Sequence, residues 1–72
     1  FRDSVISLDS SENIIVIKTL PGAAQSIGSL IDSLDNPHIL GTVAGDDTIF
    51  LVVKTTELLV QVMEYFQKLV ID

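Results

Sequence analysis

Two runs of adjacent apolar residues, Ile14-Ile15-Val16-Ile17 and Ile49-Phe50-Leu51-Val52-Val53, constrain this chain more than any other feature. Successive side chains of a strand point to opposite faces. A strand buried on one side therefore alternates apolar with polar, whereas a continuous apolar run asks for both sides to be dry. A protein of 72 residues has little material with which to cover two faces of a sheet.

The remaining pattern shows what is available. Ser4 to Leu8 has strand composition, and Asp9-Ser10-Ser11-Glu12-Asn13 is turn-rich, so with Ile14 to Ile17 it reads as a hairpin. Leu20-Pro21-Gly22 breaks the strand. From Ala23 to Leu34 the apolar residues Ala23, Ile27, Leu30, Ile31 and Leu34 recur at spacings of three and four, which predicts an amphipathic helix ended by Asp35-Asn36-Pro37-His38. Ile39 to Ala44 and Thr48 to Val53 form a second hairpin through Gly45-Asp46-Asp47. Thr55 or Thr56 is placed to cap a last helix reaching about Val70, with Glu57 in its first turn and Glu64 four residues before Lys68.

The expected order is β-β-α-β-β-α, an α+β fold whose four-stranded, mainly antiparallel sheet carries two helices on one face. The other face stays uncovered. The last helix adds to the surplus, since Leu58, Leu59, Val62, Met63, Tyr65, Phe66, Leu69 and Val70 spread over an arc of about 160°. With no cysteine and one histidine, the chain has no disulfide framework and poor material for a zinc site, so stability is expected from other copies of itself.

Charge and catalytic chemistry exclude several functions. Ten acids against Arg2, Lys18, Lys54 and Lys68 give a net charge of −6 without a basic cluster, a surface that repels phosphate backbones. No apolar stretch approaches the roughly 20 residues of a membrane span and no leader precedes the first strand, so a cytoplasmic domain without a membrane partner is expected. The absence of an initial methionine leads us to expect residues 1–72 to be a single domain of a longer protein. His38 follows a proline with no serine or cysteine partner and is expected to be an exposed loop residue, so we expect no enzyme. The acidic pair supplies too few oxygens for calcium, and neither metal nor cofactor is expected.

Two sets of polar residues stand out. Gln25, Gly28, Ser29 and Asp32 lie at i, i+3, i+4 and i+7, a stripe opposite the apolar one that is either a solvated face or a small-ligand groove offering an amide and a carboxylate. Asp46 and Asp47 read as turn residues bonding local amides, but two neighbours on an extended backbone point in opposite directions, so the second meets either solvent or a partner across an interface. One aspartate suffices for a turn. Pro21-Gly22, ahead of a helix, could also present amides to an anion.

Taken together, LPGAAQSIGSLIDSL at residues 20–34 and ILGTVAGDDTIFLVV at residues 39–53 resemble the two ligand-binding segments of the C-terminal domain of bacterial arginine repressors. The resemblance covers nearly the whole chain. It implies a core that trimerises, pairs trimers into a hexamer and binds L-arginine as corepressor at the trimer–trimer interface, with operator DNA read by a separate N-terminal winged helix-turn-helix domain. Carried over by motif, Gln25 and Asp32 hold the amino-acid end of arginine, Ala44 lends backbone, Asp46 meets the guanidinium, and Asp47 lines the same region. Lys18 stands where some relatives have histidine. An amino-acid-sensing domain of a metabolic enzyme, which usually shows a β-α-β-β-α-β order, and a purely structural oligomerisation module are the alternatives.

Overall fold

The β-branched runs pair with each other at the centre of the sheet. A computed structural model of the protein describes residues 2–71: a 3-10 turn at Arg2–Ser4, then β1 (Val5–Ser11), β2 (Ile14–Thr19), α1 (Ala24–Ser33), β3 (Ile39–Ala44), β4 (Thr48–Val53), a 3-10 turn at Thr56–Leu58, and α2 (Leu59–Ile71). The strands are antiparallel in the order β1-β2-β4-β3, which sets the two strands with unbroken apolar runs inside and leaves β1 and β3 as edges. The β-β-α-β-β-α order and the α+β class are as the periodicity predicts.

Local chemistry moves several boundaries. Pairing of Asp9 with Val16, Ser10 with Ile15 and Ser11 with Ile14 extends β1 through most of the expected turn, leaving a two-residue loop, Glu12-Asn13, with Glu12 at φ 56°. The expectation of Ser and Asp as turn formers gave way to ladder hydrogen bonds and cross-strand pairs. Leu20-Pro21-Gly22-Ala23 is a type II turn. The Ala23 amide bonds the Leu20 carbonyl at 3.1 Å, and Gly22 takes the positive φ of 83° that this turn demands at its third residue. Helix α1 consequently starts at Ala24, one residue later than expected. Thr55 is extended and makes no side-chain cap bond; the chain enters α2 through the 3-10 turn, whose Leu58 amide bonds the Thr55 carbonyl. Threonine was expected to cap there because its hydroxyl commonly does.

Directly paired residues project from one side of a sheet, so the register sorts the faces. On the covered side Ile15, Ile17, Ile49, Leu51 and Val53 are fully buried beneath Ala24, Ile27 and Ile31 of α1 and Val62 and Phe66 of α2. Both helices thus lie on that face. On the open side Asp9, Val16, Phe50 and Val43 form one row across the strands, and Ser11, Ile14, Val52 and Gly41 the next. Phe50 is 52% and Val43 74% exposed, so the apolar residues that nothing in one chain can cover are at the surface. Tyr65 and Leu69, on the margin of the α2 arc, are also exposed, as are Leu30 of α1 and Leu34 just after it, which the periodicity assigned to the buried stripe.

No described helix is long and apolar enough to cross a membrane.

Candidate functional site

The type II turn brings the start of α1 onto the tip of the β3–β4 hairpin. The Gly22 and Ala24 amides both donate to the Asp46 carbonyl at 3.2 Å, and the Thr19 amide donates to the Asp47 carbonyl at 2.8 Å. Within the hairpin the Gly45 amide bonds the Thr48 carbonyl at 2.8 Å. The amides that the sequence offers to an anion are therefore already used, because a backbone carbonyl reaches the helix N-terminus first. Four hydrogen bonds clamp the backbone of the tip.

The side chains of the acidic pair have different surroundings. Asp47 Oδ1 accepts from Thr48 Oγ1 at 3.0 Å, and that hydroxyl in turn accepts from Lys18 Nζ at 3.0 Å. A cation of the same chain thus answers Asp47 through one hydroxyl. Asp46 is exposed, and among the described residues its carboxylate has neither a hydrogen bond nor an ion pair. Neither aspartate bonds a local backbone amide, whereas Asp9 and Asn36 elsewhere in the chain do so at 2.8 Å. Turn chemistry accounts for neither carboxylate.

The polar stripe of α1 is not opposite the apolar face but beside it, against edge strand β3. Gln25 Nε2 donates to the Ala44 carbonyl at 2.7 Å, and Thr42 Oγ1 donates to Asp32 Oδ1 at 2.9 Å. Between these bonds Gly28 is buried, and a Cβ added to it would stand 3.2 Å from the Ala44 Cβ. The missing side chain is what lets α1 approach the strand. Ala44 packs against Gly28 between Gln25 and Asp32, and Ser29 of the stripe is exposed.

Gln25, Asp32 and Ala44 are thus brought together as one wall, and Asp46 lies just beyond Ala44 along the chain, with its backbone held by the first turn of the same helix. Asp32 also lines a shallow cavity of about 170 Å3 with Asp35, Asn36 and Gly41, which includes neither Gln25 nor Asp46. An amide, a tethered carboxylate and a carboxylate without a partner among the described residues are carried by α1 and the hairpin tip that docks on its first turn. Such a set can bind a ligand with two cationic ends when a second surface closes over it.

His38 is half-buried rather than exposed, with its amide bonded to Asn36 Oδ1 at 2.8 Å and its carbonyl to the Lys54 amide at 2.8 Å. These backbone bonds pull the loop onto the sheet. It stands apart from the acidic tip, and no metal-binding group of three acids or histidines occurs among the described residues. Sequence reasoning did not single out Thr42 and Thr48. The period of two along β3 puts Thr42 on the same face as Ala44, and that was the available signal.

Residues 1–68 match the family described as arginine repressor, C-terminal domain. The chain is 52% identical over 69 residues to an arginine repressor of Moorella thermoacetica, covering 96% of this chain and 46% of that protein. It is 56% identical over 70 residues to one of Syntrophomonas wolfei, covering 97% and 46%. With one of Halothermothrix orenii it shares 48% over 71 residues, covering 99% and 47%. The chain spans about half the length of the curated relatives it matches.

Proposed function

Because the chain belongs to the C-terminal domain family of the arginine repressors, we propose that it is the L-arginine-sensing, oligomerising core of a transcriptional repressor. Arginine binds as corepressor where two trimers face each other and stabilises the hexamer. Operator DNA is read by an N-terminal winged helix-turn-helix domain outside residues 1–72, and the domain itself performs no catalysis. A cytoplasmic setting follows from that role.

The observation that carries the reading is the Asp46 carboxylate, which has no partner among the described residues although the backbone of the hairpin tip is held by four hydrogen bonds. A planar guanidinium offers a carboxylate two parallel charge-assisted hydrogen bonds. Asp32 suits the α-ammonium at the other end, with Gln25 and the Ala44 backbone between them. Asp47, engaged with Thr48 and Lys18, borders the pocket. The bare face bearing Val43, Phe50, Val16 and Val52 supports assembly, since so much exposed apolar surface asks for another chain. A ligand of net charge +1 also offsets part of the repulsion among chains that each carry −6.

Isothermal titration with arginine, lysine and citrulline tests the reading. Arginine should bind far more tightly than lysine, a point charge, and than citrulline, which is uncharged at that end. Light scattering with arginine present should give about six times the 7.8 kDa chain mass. Equal affinity for the three ligands, or a monomer at micromolar concentration, overturns it.

A further inference from the structure

We infer that Thr42 is a positioning residue for the ligand's ammonium end, acting through Asp32; this rests on the function proposed above. Asp32 is exposed and stands in the last turns of α1, where an aspartate left alone samples several rotamers. The Thr42 hydroxyl, 2.9 Å from Oδ1, selects one of them and leaves Oδ2 for a ligand. Thr42 is itself fixed, since it is half-buried on edge strand β3, paired with Leu51 of β4, with its χ1 restricted by β-branching.

The contact is one of two side-chain hydrogen bonds that join α1 to β3. Gln25 reaches the Ala44 carbonyl two residues further along the same strand face, and Gly28 closes on the Ala44 Cβ between them. The helix is thus already held near Ala44, and the Thr42 bond is not needed to keep it docked. Its consequence falls on the carboxylate. A preorganised acceptor does not have to be ordered when the ligand arrives, and affinity for the ammonium end rises accordingly.

A ligand series separates this role from a structural one. Arginine and agmatine both carry the amino group that would meet Asp32, whereas 5-guanidinopentanoate lacks it and keeps the guanidinium. In Thr42→Val, which preserves shape and strand propensity, arginine and agmatine should bind on the order of 10-fold more weakly, and 5-guanidinopentanoate with unchanged affinity. Thr42→Ser should restore both losses, and in an Asp32→Asn background Thr42→Val should have no further effect on arginine. Equal weakening of all three ligands, or loss of arginine affinity undiminished in the Asp32→Asn background, overturns the inference and leaves the proposed function standing. Failure of the unaltered protein to bind arginine at all overturns both.

Discussion

Replacing Asp46 by asparagine separates a ligand-binding carboxylate from a turn residue. In the protomer the Asp46 side chain is exposed and makes no hydrogen bond or ion pair among the described residues; the clamp on this position runs through its carbonyl, which asparagine keeps. Stability without ligand should therefore change by no more than about 0.5 kcal/mol. The bidentate guanidinium pair would lose its charged half, costing about 1.5 to 3 kcal/mol, or roughly 10- to 150-fold in affinity. At a free arginine concentration about 100 times the wild-type dissociation constant, each site stabilises the wild type by about 2.7 kcal/mol. A variant bound about 100-fold more weakly gains about 0.4 kcal/mol under the same conditions. For a domain of this size these are midpoint shifts of about 10 to 20 °C against about 2 to 3 °C. Thermal unfolding followed by circular dichroism, with and without arginine, reads both effects. A variant that melts several degrees lower when empty yet shifts as far as the wild type would refute the reasoning and return Asp46 to the hairpin.

The fold makes further predictions. Val43→Glu puts a charge on the most exposed apolar residue of the open face; light scattering should show assembly lost while circular dichroism stays unchanged. Phe66→Ala empties a fully buried site in a small core and should cost about 3 to 5 kcal/mol in denaturant unfolding, enough to leave the isolated chain largely unfolded. Gly22→Ala meets no neighbouring atom within 4 Å but must hold φ at 83°, so it should cost about 1 kcal/mol, seen as a lower midpoint without loss of fold.

Element order was legible because it rests on local periodicity. Continuous apolar runs in β2 and β4, bounded by turn residues, and spacings of three and four in both helices are one-dimensional patterns that can be read along the chain. The surplus apolar surface was legible too, since a run such as Ile14 to Ile17 must put Ile14 and Val16 on one side if Ile15 and Ile17 fill the other. Boundaries were less so: Asp9 to Ser11 have turn composition, and only their pairing with β2 makes them strand.

The stripe Gln25, Gly28, Asp32 and the pair Asp46-Asp47 were visible as residues, and the resemblance suggested their roles. Their relation to one another was not. Helical period alone placed the stripe opposite the core, whereas tertiary packing turned it against β3, because a buried glycine lets backbone and Ala44 come close. The sequence likewise presents two equivalent aspartates. Only the register that sets Lys18 across from Thr48 ties Asp47 to a cation of its own chain, and only the docking of the Pro21-Gly22 turn fixes Asp46 by its carbonyl while its carboxylate has no partner among the described residues. Composition and period are properties of neighbours along the chain; which of two like charges is satisfied depends on contacts between residues some 30 positions apart, and those exist only once the sheet has closed.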